Sequence, residues 1–292
     1  MIIGWKSPLD GAIYGLEDFA AMERVIPEPL LRAMTHKVKT DTRHSGPNIT
    51  ITSGLSCPRK TLVTRMMDTT PDPTKMWKMH RGTWLHECIG LSLSENPEWI
   101  TEEGDADSCT FEGEVFGVKM SCRIDARKRD FSQLIDWKFR GDGAEKWVDP
   151  MGRAKDEDSA QLNMARMLME QTTGKDLKDM DMYVWVMSGQ TIRTTVPYLS
   201  ADQLGAIRPG GGNYTIREIF NMLDLSMKMW VSDAEQFYKG DYAAVPLEKK
   251  QAIVAALPMV GESMYQSKRK GLSMCTSYCE VRDACYACEG GI

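Results

Sequence analysis

Asp125 and the triplet Asp136-Trp137-Lys138 are the residues whose types and spacing most directly suggest chemistry. They lie in two runs, Arg123-Ile124-Asp125-Ala126 and Leu134-Ile135-Asp136-Trp137-Lys138-Phe139, joined by the polar stretch Arg127 to Gln133. A hairpin centred between Asp130 and Phe131 sets Asp125 opposite Asp136. Strand alternation then puts Lys138 on the face of Asp136, with Trp137 pointing away. Two carboxylates that close repel each other unless a divalent cation lies between them. Such a set suits phosphodiester hydrolysis: the carboxylates hold Mg2+ or Mn2+, the metal polarises the phosphate and acidifies a water, and the lysine positions that water or offsets developing charge. Taken alone, an acidic-x-Lys triplet is a weak signal. Asp176-Leu177-Lys178 and Glu248-Lys249-Lys250 repeat it in polar contexts that read as solvated surface. The plainer reading of Asp136 with Lys138 is an edge-strand salt bridge.

The second chemical feature is a run of thiols, Cys275, Cys279, Cys285 and Cys288, with Cys57 far upstream in Ser56-Cys57-Pro58-Arg59-Lys60. Four thiolates hold zinc tetrahedrally or a [4Fe-4S] cluster, so spacing alone leaves the metal open. The pair Cys285-x-x-Cys288 also has a redox spacing, but without thioredoxin-like surroundings. Cys88, Cys109 and Cys122 fall in apolar or strand contexts and read as core cysteines.

The elements that must position these groups follow from periodicity. A helix is predicted from Thr52 through Cys57-Pro58 to Met67, ended by Pro71 and Pro73, and a second from Thr74 to Leu93 that carries His86 among bulky apolar residues. A lone histidine there is more often a satisfied core residue than a ligand. Alternation from Cys109 to Phe139 predicts an antiparallel meander. Residues 157 to 172 return to helix, Met182 to Met187 and Thr191 to Tyr198 read as strands, and Ile216 to Tyr238 as a long amphipathic helix. Upstream, Thr35 to Asn48, with His36, Lys37, Lys39, Arg43 and His44, reads as a polar loop that could touch DNA or simply be solvated. The tail from Gly271 is too poor in apolar residues to build its own core and needs a staple.

Composition sets the outer bounds. The chain has 292 residues, 42% hydrophobic and 26% charged, an ordinary globular balance. A net charge of -5 runs against a nucleic-acid partner, but such binding depends on local basic patches. No stretch approaches the length of an apolar membrane span, and Met1 to Asp10 lacks a secretory pattern, so a cytoplasmic protein without a membrane partner is expected. Eight cysteines in that setting suggest ligation or buried thiols rather than disulfides. The chain divides into an N-terminal extension (1–50), a core bearing the carboxylates (51–214) and a C-terminal helix with the cysteine segment (215–292).

In their order along the chain these motifs resemble the RecB-like branch of the PD-(D/E)xK nuclease superfamily. There a Gly-x-x-x-His helix precedes an aspartate strand, a (D/E)xK strand and a helix bearing Gln-x-x-x-Tyr. Here the order is Gly82 to His86, Asp125, Asp136-Trp137-Lys138, and Gln161-Leu162-Asn163-Met164-Ala165. The resemblance implies an α/β, restriction-endonuclease-like mixed sheet flanked by helices. It implies His86, Asp125, Asp136 and the main-chain carbonyl of Trp137 as ligands of Mn2+ or Mg2+, Lys138 as catalytic, and Gln161 supporting the lysine or DNA. Ala165 stands where the family has tyrosine, and Ser121-Cys122 replaces a glycine often found before the motif aspartate.

The cysteines are similar to those of an iron-sulfur subgroup that includes CRISPR-associated exonucleases and AddB-type nuclease domains. That likeness implies a [4Fe-4S] cluster on Cys57, Cys275, Cys279 and Cys285, structural in role, with Cys288 as a rival ligand. A zinc site built from the last four cysteines, with Cys57 inert, is the alternative. The implied partner is DNA, single-stranded or at duplex ends. No Gly-x-x-x-x-Gly-Lys-Ser/Thr loop is present, so unwinding would fall to a helicase or recombination partner. Arg123, Arg127, Lys128, Arg129, Arg140 and Lys268-Arg269-Lys270 could grip phosphates, and Trp137, Trp147 and Tyr278 could stack on bases or serve as core and lid residues. The readings that remain are an exonuclease, an endonuclease, and a catalytically idle or zinc-stabilised DNA-binding module.

Overall fold

Two short antiparallel strands, β1 (Gly4–Lys6) and β2 (Ile13–Gly15), begin a computed structural model of the chain. It describes residues 1–40, 47–140, 152–187, 191–266, 275, 279 and 281–288, without the side chains of Lys78 and Met79. Arg43, His44, Trp147, Lys268, Arg269, Lys270 and Tyr278 therefore lie outside the described residues. Helices α1 (Phe19–Met22) and α2 (Glu28–Thr40) follow. The predicted polar loop is thus helix up to Thr40, where Lys37 pairs with Glu87 across to another helix. Trp5, Met22, Ile26, Leu31, Met34 and Met76 form a small core of their own in this region.

The helix expected from Thr52 to Met67 is two helices, α3 (Ile51–Gly54) and α4 (Pro58–Met66). The break has a local cause: a residue before proline is pushed out of the helical region, and Cys57 accordingly sits extended at φ -63, ψ 125 as the N-cap of α4, with Pro58 in its first turn. Next comes α5 (Pro73–Ser94), capped by the Asp72 carboxylate, which accepts from Thr74 N at 2.8 Å.

The predicted meander is divided between two sheets. Strands β4 (Thr110–Val115) and β5 (Val118–Arg123) form a separate hairpin, while β6 (Ala126–Lys128) and β7 (Gln133–Phe139) enter a five-stranded sheet of order β3-β6-β7-β8-β9. The division falls at Ile124-Asp125, where Ile124 N still donates to Cys109 O beside the hairpin and Asp125 bends the chain onto the sheet. Edge strand β3 (Trp99–Thr101), β8 (Asp181–Met187) and β9 (Thr191–Val196) complete it. Proline at 197 ends β9 short of the predicted Tyr198, because it has no N–H to continue the ladder.

Strands β7 and β8 are the parallel pair, and every other pairing in the sheet is antiparallel. A parallel pair needs a crossover, which α6 (Asp156–Thr173) supplies; three acidic residues in its first turn suit the helix dipole and Gly174 ends it in the left-handed conformation. Then come α7 (Ala201–Ala206), α8 (Ile216–Tyr238), α9 (Leu247–Ala255), α10 (Val260–Ser263) and α11 (Arg282–Ala287). The main core is continuous through Leu134, Val184 and Val186 of the sheet, Leu162, Met164 and Leu168 of α6, and Ile219, Phe220 and Leu223 of α8. The architecture is therefore a mixed α/β sheet flanked by helices with a helical C-terminal region. Among the described residues no helix is long and apolar enough to cross a membrane.

Candidate active site and cysteine cavity

The register of β6 and β7, Ala126 with Ile135 and Arg127 with Leu134, extends to set Asp125 against Asp136, the pairing expected from the hairpin centre. Asp125 lies at the bend before β6, and its Oδ2 accepts from the backbone N–H of Trp137 at 2.7 Å. In a strand the N–H and C=O of one residue face the same edge, so the Trp137 carbonyl faces Asp125 too. A charge-assisted bond of this kind contributes roughly 1.5–3 kcal/mol, which fixes the carboxylate before any ligand arrives.

Alternation along β7 puts Leu134, Asp136 and Lys138 on the face covered by α6. There three polar side chains close a ring: Lys138 Nζ donates to Asp136 Oδ1 at 3.0 Å and to Gln161 Oε1 at 2.9 Å, and Gln161 Nε2 donates to Asp136 Oδ1 at 3.1 Å. Asp136 is only 5% exposed. Burial pushes its carboxyl up to about 6; the Lys138 ammonium pulls the other way, and the Asp125 and Asp158 carboxylates add to the rise. Burial on its own would lower the ammonium of Lys138, but Asp136 and Asp125 outweigh it and hold the charge on.

His86 comes from α5 on the other face. Its ring packs against Phe139 and Trp137, with centroids 5.1 and 6.2 Å away, the residues that alternate away from Asp136 and Lys138. It reaches the site through Asp125, whose Oδ2 lies 3.3 Å from His86 Nδ1. Burial would lower its affinity for a proton, yet the bond to and charge of Asp125, with Asp136 beyond, raise it. The fold thus joins His86 to Asp125, and Asp136 to Lys138 and Gln161. Among the described residues no three His, Cys, Asp or Glu side chains stand ready as a ligand sphere.

Two buried oxygens bear on whether a cation fits. Asp136 Oδ2 lies 2.8 Å from the Lys138 ammonium but outside hydrogen-bond geometry, and Glu103 Oε2 has no hydrogen-bond partner among the described residues. Buried carboxylate oxygens left in this state are costly unless a positive charge meets them. The donor set of Asp125, Asp136, the Trp137 carbonyl and His86 fits a hard divalent cation by its chemistry.

Sequence reasoning missed Glu103. It follows β3 and tucks against Gly90, one turn beyond His86, where a Cβ would come within 1.7 Å of Glu103 Oε2. Burial raises its carboxyl to about 7, with Glu102 and Asp125 adding to the effect and His86 opposing it. Its only sequence signal was a pair of glutamates after a short apolar run. Asp158 was also missed: it is buried on α6, three residues before Gln161 and so on the same side of the helix, and it pairs with Arg140, the next residue on the Asp136–Lys138 face.

The other basic residues expected at DNA are mostly engaged elsewhere. Arg127 is buried, donating to Ser108 O and lying over the Phe131 ring at 4.2 Å, and so is a packing residue rather than a phosphate contact. Lys128 pairs with Glu98, Arg123 with Glu102 at 3.1 Å, and Arg129 donates to Pro97 O. Trp137 is buried, 5% exposed, and has no face open for stacking.

Cys57, Cys275, Cys279 and Cys285 line one small pocket, with Lys60, Met259, Arg282 and Tyr286. Cysteine at 288 is not among them; its Sγ donates to Ala284 O at 3.2 Å and lies 3.9 Å from Met67 Sδ in the main core. Gly261 makes the thiols' approach possible, since a Cβ there would meet Cys275 Sγ at 2.8 Å and Cys57 Sγ at 3.4 Å. Burial, with the other three thiols, pushes Cys275 up to about 12; burial and Cys57 push Cys285 to about 11 against the pull of Arg59. Without metal both thiols keep their protons. Arg59 is itself buried, donating to Leu257 O at 2.7 Å and Ala255 O at 3.1 Å, and so ties α4 to the end of α9 beside the cavity. Four thiols lining one pocket beside a buried cation suit a thiolate-ligated metal by their donor chemistry, though among the described residues they do not stand in a ready ligand sphere. Of the remaining cysteines, Cys109 and Cys122 are buried and pushed to about 12 by burial, as core thiols should be. Cys88 is exposed, contrary to expectation, because it shares the outer stripe of α5 with Arg81 and Leu85.

No protein-family model matches the chain, and no curated protein does. Among solved structures, SSO0001 superposes with a TM-score of 0.43 at 14% identity, covering 82% of this chain and 98% of that one. So distant a likeness carries no argument about chemistry.

Proposed function

We propose that the chain is a metal-dependent deoxyribonuclease of the PD-(D/E)xK type, an exonuclease acting on single strands or duplex ends. The observation that carries this reading is the ring of Asp136, Lys138 and Gln161 beside an Asp125 held by the Trp137 N–H. Asp125, Asp136, the Trp137 carbonyl and His86 would hold Mn2+ or Mg2+. When bound, the metal polarises the phosphate and lowers the pKa of a coordinated water. Lys138, kept charged by two carboxylates, orients the attacking water or meets the growing negative charge, and Gln161 keeps the ammonium from folding wholly onto Asp136. Cys57, Cys275, Cys279 and Cys285 would carry a structural [4Fe-4S] cluster that ties the cysteine segment to the start of α4.

Labelled single-stranded and duplex DNA incubated with Mn2+ tests the first part. The intact chain should cleave, EDTA should stop it, and Asp136→Ala should lower the rate roughly 10²–10³-fold or more. Cleavage that survives the substitution would falsify the assignment, and no cleavage by the intact chain leaves the DNA-binding module as the better reading. The four thiols suit zinc as well as iron. Metal analysis and a visible spectrum of freshly purified protein separate the two, a colourless zinc protein overturning the cluster.

A further inference from the structure

Tyr265 is held in an unfavourable backbone conformation beside the carboxylate network. Its φ is 54°, the left-handed region that a bulky L-residue adopts only at a steric cost. Phe116 lies in the β4–β5 turn and Lys239 caps α8, so local turns account for those positive angles. Tyr265 instead serves a tertiary contact. Its N–H donates to Gly210 O at 2.9 Å, and its ring lies flat on Gly210, where a Cβ would meet Cδ2, Cε1 and Cε2 all at 3.1 Å. Gly210 has φ +59, so that position suits glycine on two counts. Glu157, in the first turn of α6, accepts from the Gly210 N–H, and its charge acts on the Tyr265 phenol.

One ring face is thereby pressed on backbone, yet the residue is still 47% exposed, so the opposite face looks outward. Glu157 is followed on α6 by Asp158, whose carboxylate pairs with Arg140, so the clasp lies near that ion pair. Arg140 stands two residues beyond Lys138 on the same side of β7. An aromatic surface pinned from behind, near the Asp158–Arg140 pair that adjoins the Lys138 face of β7, combines the parts that hold a nucleotide of a single strand: a stacking plane for the base and a guanidinium for the phosphate.

We infer that Tyr265 is a stacking platform for an unpaired base of the strand whose phosphate lies at Asp136 and Lys138, and that it biases the site toward single-stranded DNA. The inference rests on the nuclease reading. Its test uses binding as well as cleavage. In the full chain carrying Asp136→Asn, Tyr265→Leu should weaken binding of a single-stranded oligonucleotide about 10-fold and leave blunt duplex binding within two-fold. Tyr265→Phe should bind the single strand nearly as the parent does. Scanning an abasic site along the strand should find one position where the parent loses the same factor and Tyr265→Leu loses nothing more, the non-additivity of a shared contact. In the cleaving protein Tyr265→Leu should raise KM for single strands and leave kcat within about two-fold.

If Tyr265→Leu folds with the parent's thermal stability and binds single strands as well, the platform is wrong while the nuclease reading stands. A loss equal for single strand and duplex, or additive with every abasic position, also overturns it by showing a purely structural clasp. A parent that never cleaves DNA but shows the abasic non-additivity would sink the nuclease and keep the platform.

Discussion

The carboxylate site and the cysteine pocket, the two places where we propose that a cation binds, present their donor groups in opposite ways. Asp125, Asp136, Lys138 and Gln161 are bound to one another and to backbone from elements that the sheet already holds in place. Their geometry survives without a guest; Asp136 Oδ2 is met by the Lys138 ammonium at 2.8 Å, and the buried carboxylate oxygen left without a partner among the described residues is Glu103 Oε2. The thiols instead come from the first residue before α4 and from a segment with little core of its own, and Cys275 and Cys285 are held protonated by burial and by neighbouring thiols, Cys57 foremost. Preorganisation by hydrogen bonds costs stability locally and gains rate; a cavity closed by metal gains stability only when filled.

The largest expected effect separates the two regions by stability. Cys57→Ala should remove the iron and lower Tm by roughly 10 °C, on the order of 5 kcal/mol for releasing a closure of this length. Cys288→Ala, by contrast, should keep the full iron content and cost only about 1 kcal/mol or so, as a small core truncation. Equal iron loss in the two variants would mean that the cavity is not the binding site.

Asp136→Ala is the reverse experiment. Cleavage should vanish while visible absorption and iron content stay at the parent's level, and a colourless Asp136→Ala protein would show that the regions are not independent. Gln161→Ala should act through Lys138, lowering kcat about 10-fold with KM little changed, the scale of removing a group that orients a metal-site residue.

Smallest is the effect of Glu103. Its folded carboxyl is raised from 4.5 to about 7, so the fold favours the protonated form. The destabilising contribution is absent below about pH 4.5, grows through the window up to about 7 and is complete above it. Glu103→Gln should therefore raise the Tm of EDTA-treated protein at pH 8, leave it unchanged at pH 4, and lose that advantage when Mn2+ is added at pH 8. An identical gain at both pH values would remove the charge from the explanation.

The parts of the candidate site that could be read in advance are those governed by local rules. Period-2 alternation and a hairpin centre put Asp125 against Asp136 and Lys138 beside it, and the extents of α5, α6 and α8 followed from helical periodicity to within a few residues. What failed was local in a subtler way or not local at all. Helical periodicity runs through Cys57 although the proline after it breaks the helix there, and the apolar neighbours of Cys88 suggest burial where its position on the helix stripe exposes it.

Asp125, Asp136 and Lys138 were thus singled out by the sequence alone, because residue type and strand spacing act over a few positions and need no knowledge of the rest of the chain. The four thiols were separated from Cys288 only by the tertiary structure, since helix α11 turns Cys285 toward the cavity and Cys288 toward Met67. The same holds for Glu103 on Gly90, Asp158 on Arg140 and Tyr265 on Gly210. In each case the partner comes from a different element, and the contact exists only once burial has brought those elements together.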